Sequence, residues 1–212
     1  MGDHTSPRRR RISLRLRAIL AGGLVLGVGA TVTLASWNDS EYAKGSFTTS
    51  VFDTESNLQS GGYADNGTAP GPTVTFTGAG FSPGVSEYFN DLIRTKVNST
   101  AGIAVLEAAT LGGTDAATLG AALVYRVVRT TGTCNAAAFT GSPVFVVGAG
   151  ATFRALTVGQ ETGVTNTLAA ATGSAPGDPT GFCFEVTLQA GAANSLQGKA
   201  ATATWQFVTT SN

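Results

Sequence analysis

The 212-residue chain carries 13 basic and 13 acidic side chains, and its formal net charge of zero hides an uneven distribution. Six arginines lie within the first 17 residues, whereas residues 36–212 contain twelve acidic and seven basic side chains. An acidic region without a basic cluster argues against nucleic-acid binding, because contacts with phosphates supply most of that affinity. The one histidine, His4, precedes the arginines, which excludes histidine-dependent catalysis from residues 36–212.

The first 35 residues have the layout of an export signal. A basic n-region, residues 1–17, is followed by an uncharged, mostly apolar region, residues 18–35. Small residues at the −3 and −1 positions, Thr33 and Ala35, predict cleavage between Ala35 and Ser36. The alternative is a retained membrane anchor, because 18 residues are near the shortest length that spans a bilayer.

Cleavage of this signal predicts a protein that is secreted to the extracellular space or the cell surface. The pair Arg10-Arg11 partly matches a twin-arginine signal, so the Sec and twin-arginine routes both stay open. We expect contact with the membrane only through the uncleaved signal.

Residues 46–212 have the composition and the alternation typical of β structure. The chain contains 28 glycines and only 12% charged residues, which disfavours a helical bundle. Apolar and polar residues alternate over short segments, as expected for half-buried strands. In chain order, the predicted strands are 46–52, 73–77, 88–97, 103–108, 123–129, 144–147, 182–188 and 201–207.

This number of strands, separated by turns rich in Gly, Pro and Asn, fits one β-sandwich. We therefore predict an all-β fold, a single jelly-roll-like antiparallel β-sandwich over residues 46–212 that follows the signal peptide. Helix is confined to short segments at 115–119 and 135–139. Residues 57–72 are predicted to form a polar loop within the same domain.

Cys134 and Cys183 are the only cysteines, and both lie in the part expected to be exported. An even number of cysteines in an oxidising compartment predicts a disulfide between them. The alternative is a cysteine nucleophile, but residues 36–212 offer no histidine to activate it.

Several motifs, spread over nearly all of the chain, carry a family resemblance. The junction 33–39 reads TLASWND, and AKGSFT follows at 43–48. A Ser-Pro-Gly turn lies at 82–84, and the other motifs are YRVVRT at 125–130 ahead of the first cysteine, CFEV at 183–186, LQGK at 196–199 and TWQF at 204–207. This pattern resembles TasA and camelysin-like proteins, and most of all the actinobacterial branch of exported proteins with a SipW-type signal.

The resemblance implies a jelly-roll subunit of an extracellular or biofilm matrix that is released by a SipW-type signal peptidase. It also implies self-association into filaments, in which residues 36–45 of one copy serve as a donor strand for the next. An extended segment of this kind can add to an exposed sheet edge of another copy. The residues expected in that contact are Ser36, Trp37, Asn38, Asp39 and Tyr42.

The sequence leaves open the alternative that Trp37 packs against its own sandwich. Burial of the indole typically stabilises by ~1.5 to 3 kcal/mol, whether Trp37 packs on its own sandwich or on a second copy. Both arrangements therefore satisfy the same hydrophobic requirement.

Catalysis is a further possibility, because camelysin has been classed as a metallopeptidase. A zinc site of the HExxH type needs imidazole ligands, which residues 36–212 lack. A Ser–Lys dyad that uses Lys44, Lys96 or Lys199 and a carboxylate pair formed by Glu87 and Asp91 stay formally open. We expect no enzymatic activity, no cofactor and no resident metal.

A third class is a monomeric secreted or surface adhesin that binds a glycan or a host surface, which rests on fold analogy. A calcium site among Asp53, Glu55 and Asp65 is conceivable, because carboxylates are the ligands that calcium prefers. The sequence thus predicts an exported, non-enzymatic fibre subunit. An adhesin is the alternative, and a camelysin-like peptidase comes after it.

Overall fold

The computed structural model describes residues 15–20, 49–68 and 81–212. The chain divides into two units, Met1–Phe47 and Thr48–Asn212. In the first unit, residues 15–20 are helical and exposed. No helix within the described residues is long and apolar enough to cross a membrane. The predicted cleavage site, the segment 36–45 and the predicted strand 73–77 lie outside the described residues.

The second unit is built from antiparallel strand pairs. Its strands are β1 (Thr54–Leu58), β2 (Ser86–Thr95), β3 (Gly102–Leu106), β4 (Thr110–Gly112), β5 (Leu123–Arg129), β6 (Val144–Val147), β7 (Arg154–Ala155), β8 (Asn166–Leu168), β9 (Thr180–Leu188), β10 (Thr202–Thr204) and β11 (Phe207–Ser211). One sheet has the order β1-β2-β9-β5-β6, with β7 also paired to β5. A three-stranded sheet has the order β11-β3-β8, and β10 pairs with β4.

Two sheets pack face to face around an aromatic core. The buried rings of Tyr125 and Phe184, on neighbouring strands of the large sheet, stack with centroids 6.4 Å apart. Phe207, from the smaller sheet, lies 4.4 Å from Phe182, and Trp205 lies 5.4 Å from both Tyr125 and Phe184. The predicted all-β sandwich is thereby confirmed, while its finer jelly-roll connectivity stays a prediction.

A second, smaller cluster covers the outer face of the large sheet. Val128 and Cys183 point away from the main core and are fully buried against Phe139. Phe139 ends the 3-10 helix Ala136–Phe139, which follows β5 and folds over this face. Strand β9 is therefore buried on both faces, whereas its alternating sequence predicts a strand with one solvated face.

Most predicted elements are confirmed. The strands predicted at 123–129 and 144–147 have the observed bounds, and those at 88–97, 103–108 and 182–188 differ by at most two residues at either end. The two short helices are present as the α-helix Ala116–Ala122 and the 3-10 helix Ala136–Phe139. Alternation on β5 is also as predicted, because Leu123, Tyr125 and Val127 are all buried.

The first strand differs from the prediction. Within residues 49–52 the structure has a single bridge, between Val51 and Ser99, and the strand is instead Thr54–Leu58. This strand reads TESNL and has no apolar alternation, so nothing in its own sequence favours a strand. It forms because all five residues pair with β2, which includes an ion pair of 2.7 Å between Glu55 and Arg94. The polar loop predicted to start at residue 57 therefore starts after Leu58.

The predicted strand 201–207 is divided into β10 and β11. The inward alternation of Ala203, Trp205 and Phe207 persists across the break, since all three are half-buried. Two residues separate β10 from β11. On the segment that pairs with them, three residues separate β3 from β4. One extra residue on one side is the count of a β-bulge, which increases the local twist. Strands β4, β7 and β8, of two or three residues each, have no counterpart among the predicted elements.

Candidate functional site

Cys134 and Cys183 form a disulfide, as predicted from their number. Their Cα atoms lie 5.2 Å apart, and the bond joins β9 to the loop that follows β5. Cys183 is fully buried. Disulfides of this kind are typical of proteins that fold in an oxidising compartment, such as the space outside the cell.

The residues predicted to mediate assembly, Ser36, Trp37, Asn38, Asp39 and Tyr42, lie outside the described residues, as does the cleavage site. The structure shows which backbone groups on the edge strands already have hydrogen-bond partners, and therefore where such a segment could bind. Each edge strand presents backbone N–H and C=O groups that another strand can use.

At one end of the large sheet, the chain itself covers the edge of β1. The N–H and C=O groups of Ser56 both bond to Ala64, each with an N···O distance of 3.0 Å. The amide nitrogen of Asn66 donates to the Ser56 hydroxyl at 2.8 Å. The Leu58 carbonyl accepts a hydrogen bond from the Gly61 N–H at 3.0 Å, which closes a turn. Residues that follow β1 thus occupy the positions that an added strand would need.

The other end of the large sheet and the edge of β8 also have partners. On β6, the Val146 carbonyl accepts a hydrogen bond from the Glu161 N–H at 2.9 Å. The Arg154 guanidinium, 2.6 Å from the Glu161 carboxylate, lowers the pKa of Glu161 and holds that segment in place. On β8, the Thr180 hydroxyl donates to the Thr167 carbonyl at 2.7 Å.

Strand β11 lies at the end of the smaller sheet. Its register with β3 determines which of its backbone N–H and C=O groups hydrogen-bond to β3. The Gln206 carbonyl accepts from the Glu107 N–H at 2.9 Å, and the Asn212 N–H donates to the Ala101 carbonyl at 3.2 Å. Hydrogen-bonded pairs recur at every second residue of an antiparallel ladder. The even-numbered residues of β11 therefore direct their backbone groups toward β3.

The odd-numbered residues of β11 direct their backbone groups outward. The N–H and C=O groups of Phe207, Thr209 and Ser211 make no backbone hydrogen bond within the described residues. Near this edge, the Thr209 hydroxyl lies 3.3 Å from the Thr54 hydroxyl, and the side chain of Val208 is 39% exposed. We call these outward groups the open edge of β11. No local sequence pattern predicts it, because it depends on the order of the strands.

The acids suggested as calcium ligands are neutralised by basic side chains. The Lys96 ammonium lies 2.8 Å from a carboxylate oxygen of Asp53 and 2.8 Å from one of Asp65. Glu55 pairs instead with Arg94, whose guanidinium lies 3.5 Å from the centre of the Tyr63 ring. Within residues 15–20, 49–68 and 81–212 there is no cluster of three potential metal ligands. The structure therefore does not gather these acids around a common cation site.

The lysines considered for a Ser–Lys dyad are engaged as cations. Hydrogen bonds to Asp53 and then Asp65 raise the pKa of Lys96, which opposes the loss of the proton that a general base requires. Lys199 is bound to Asp115 at 2.7 Å. Lys44 lies outside the described residues.

The carboxylates considered as a catalytic pair, Glu87 and Asp91, are four residues apart on β2, which separates their Cα atoms by ~13 Å. Paired carboxylates in glycoside hydrolysis are about 5 to 9.5 Å apart. Burial raises the pKa of Asp91 to about 6, and a backbone hydrogen bond from Leu92 opposes this shift only in part. One carboxylate oxygen of Asp91 has no hydrogen-bond partner among the described residues.

A charge network that sequence reasoning missed lies on the outer face of the large sheet. The nearly buried carboxylate of Glu185 lies 2.6 Å from Arg126 and accepts hydrogen bonds from Ser86 at 2.8 Å and Tyr88 at 3.1 Å. The carbonyl of Gly150 accepts a further bond from the Arg126 guanidinium. A buried charge with this many partners holds its surroundings in one geometry. Its signal in the sequence is a charged residue inside each of two largely apolar strands, Arg126 in β5 and Glu185 in β9.

Beside this network lies a cleft with a volume of about 620 Å³. Its floor is the outer face of β2, with Tyr88, Asn90 and Leu92. One wall is the turn after β1, at Gln59 and Ser60, and the other is the segment 131–134, which ends in the disulfide. The sequence does not predict this cleft, because its walls come from segments more than 70 residues apart.

No protein-family model matches the chain, and no curated protein resembles it significantly. Functional conclusions therefore rest on the residues themselves.

Proposed function

We propose that this chain is an exported structural protein, secreted to the extracellular space or the cell surface, that assembles into matrix fibres by strand addition. The observation that carries the proposal is the open edge of β11, where three residues offer outward N–H and C=O groups. A strand that pairs with such an edge gains backbone hydrogen bonds without any change in the acceptor fold.

The donor in this proposal is the segment 36–45 of a second copy, freed when a SipW-type peptidase cleaves between Ala35 and Ser36. Trp37 and Tyr42 give this segment two aromatic side chains that would be costly to leave in water. A donor segment and an acceptor edge at different places on the molecule make a heterologous contact, which generates open filaments unless the rotation closes.

Three other edges of the sandwich are partly covered by the chain itself, which favours strand addition at β11. Within the described residues, β1, β6 and β8 each have backbone groups satisfied by the chain itself. An added strand would have to displace Ala64 to pair with β1, or Glu161 to pair with β6, and would lose the hydrogen bonds that these residues make. The disulfide Cys134–Cys183 supports export, because such bonds form and persist outside the reducing cytosol.

The test is negative-stain electron microscopy of the protein recovered from the medium of cells that express the full chain. The proposal predicts filaments, together with a mature N-terminus at Ser36 by intact-mass measurement. A matched variant that lacks residues 36–44 should be secreted and folded but should give dispersed particles. Dispersed wild-type particles at every pH and concentration tried would contradict the fibre function and favour the monomeric adhesin.

A further inference from the structure

The cleft on the outer face of β2 is open to solvent and is lined mainly by neutral polar groups. Its volume, about 620 Å³, falls within the range of ~300–1,000 Å³ that is typical of small-ligand sites. Two amides, Gln59 and Asn90, and three hydroxyls, Ser60, Thr131 and Thr133, line it. No lining residue among those described is charged.

Four of these five polar side chains are exposed, so they hydrogen-bond to water when no ligand is present. None of them makes a side-chain hydrogen bond to another described residue, although Asn90 is half-buried. Amides and hydroxyls both donate and accept, as the hydroxyls of a sugar do. A hydroxyl-rich neutral ligand can therefore pair with every one of them, whereas a phosphate or a carboxylate would find no cation.

Tyr88 adds an aromatic surface to the floor of the cleft. Its hydroxyl is fixed by a 3.1 Å hydrogen bond to Glu185, which is itself held by Arg126. The ring thus meets the cleft in one orientation. A fixed ring of this kind offers an apolar face to the C–H groups of a sugar.

The turn at one wall has a backbone conformation that its residues do not favour. Gln59 and Ser60 have φ values of 49° and 61°, and the Gly61 N–H bonds to the Leu58 carbonyl at 3.0 Å. Two consecutive positive φ values suit Asn-Gly or Gly-Gly pairs, and other residues there are strained. At this position the chain keeps two long or polar side chains that line the cleft.

The opposite wall is held by the disulfide. Cys134 ends the segment 131–134 and is bonded to Cys183 on β9, whose neighbour β2 supplies the floor. The sulfur of Cys134 lies 3.2 Å from the Phe89 carbonyl oxygen. The backbone of both walls and of the floor is therefore held before any ligand arrives, which lowers the entropic cost of binding.

We propose that this cleft binds a neutral oligosaccharide. Gln59, Ser60, Asn90, Thr131 and Thr133 provide the hydrogen bonds, and Tyr88 provides the stacking surface. The cleft lies on the large sheet, and the open edge belongs to the smaller sheet, so binding does not require filament formation. The proposal therefore stands or falls independently of the fibre function.

The test uses isothermal titration calorimetry on the secreted protein with cellotetraose, maltotetraose and N,N′,N″,N‴-tetraacetylchitotetraose, and with tetragalacturonate as an acidic control. At least one neutral tetrasaccharide should bind saturably with one site per chain, and tetragalacturonate should not bind. Failure of all three neutral sugars to saturate the protein at millimolar concentration, or binding of the acidic sugar alone, would overturn the proposal.

Two variants locate the site. The double variant Gln59→Gly with Ser60→Gly removes both side chains and also relieves the left-handed backbone, so the protein should keep its melting temperature. Its affinity for the bound sugar should fall at least about tenfold, a loss of ~1.4 kcal/mol. Gln197→Ala removes an exposed amide outside the cleft and should leave the affinity unchanged. Equal affinity of the double variant and the wild type would place any sugar binding elsewhere and overturn the assignment.

Discussion

The edge of β1 and the edge of β11 differ in what their outward backbone groups contact. On β1, Ser56 is bonded through both its N–H and its C=O to Ala64, so the chain supplies its own covering strand. On β11, the outward groups of Thr209 have no backbone partner within the described residues. Among the edges of β1, β6, β8 and β11, the edge of β11 is the one whose outward backbone groups have no backbone partner within the described residues. The fibre proposal therefore expects association at this edge.

The two edges also differ in how firmly their sheets are held. The sheet that contains β1 carries the disulfide, the Glu185–Arg126 ion pair and most of the core aromatics. The sheet that contains β11 has three strands, and only five residues of β11 pair with β3. The sheet that contains β1 is thus the more strongly held of the two, and the three-stranded sheet carries the edge that we propose as the acceptor.

Loss of the disulfide should have the largest effect on stability, and this effect should act on the sheet that contains β1. The bond closes a loop with a sequence separation of 49, for which chain entropy gives roughly 4 kcal/mol. The double variant Cys134→Ser with Cys183→Ser should lose about that much free energy of unfolding. Urea unfolding with and without reductant measures it. An unchanged midpoint for the wild type under reducing conditions would contradict the role assigned to the bond.

The pH dependence of stability should come next in size, and it arises on the strand beside β1. The pKa of Asp91 is about 6 in the folded protein and near 4 in the unfolded chain, so the folded state holds more protons between these values. Asp91 should therefore contribute a fall in stability of about 2 to 3 kcal/mol as the pH rises from 4 to 6, and its contribution should then level off.

The variant Asp91→Asn isolates this contribution. It should be more stable than the wild type above pH 6 and should lose the fall in stability between pH 4 and 6. Thermal unfolding at closely spaced pH values measures both effects. A wild-type stability that changes between pH 4 and 6 in the same way as that of Asp91→Asn would show that Asp91 is ionised without difficulty in the fold.

Opening the β1 edge should make it resemble the β11 edge. Ala64→Pro removes the N–H that donates to Ser56, at a cost of about 1 kcal/mol. It should also give β1 free acceptor groups, so sedimentation should detect larger or branched species. The same particle sizes for variant and wild type, despite the lower stability, would mean that the Ala64 bridge does not guard against association.

A charge placed on the open edge should have the smallest effect on stability. Val208→Lys places a lysine on β11, where the side chain is 39% exposed, and should change the free energy of unfolding by less than about 0.5 kcal/mol. It should slow fibre growth, because edge lysines disfavour strand addition. Val97→Lys is the control, since Val97 is also 39% exposed but follows β2. Equal slowing by both variants would point to net charge rather than to the edge.

The strands that could be predicted are those whose own residues alternate. Leu123–Arg129 and Val144–Val147 have the predicted bounds because they carry buried aliphatic residues with the period of a strand. Thr54–Leu58 could not be predicted, since its polar residues become a strand only through pairing with β2. The break at Trp205 could not be predicted either, because it follows from an extra residue on the partner arm.

The candidate functional surfaces were harder to predict from the sequence than the fold. The disulfide followed from the cysteine count alone. The open edge of β11 depends on strand order, and Gln59–Ser60 carries none of the residues that signal a left-handed turn. The cleft needs both that turn and the distant segment 131–134, so it emerges only when the chain is folded.

A pair of proline variants on β11 tests the open edge most directly. Thr209→Pro removes an outward N–H and leaves the ladder with β3 intact, whereas Thr210→Pro removes an N–H that faces Ile103. Each secreted variant would be examined by thermal unfolding and by electron microscopy. We expect Thr209→Pro to keep its melting temperature within about 2 °C but to form no filaments, and we expect Thr210→Pro to be destabilised by several degrees. Normal filaments from a stable Thr209→Pro protein would contradict the claim that β11 is the acceptor edge.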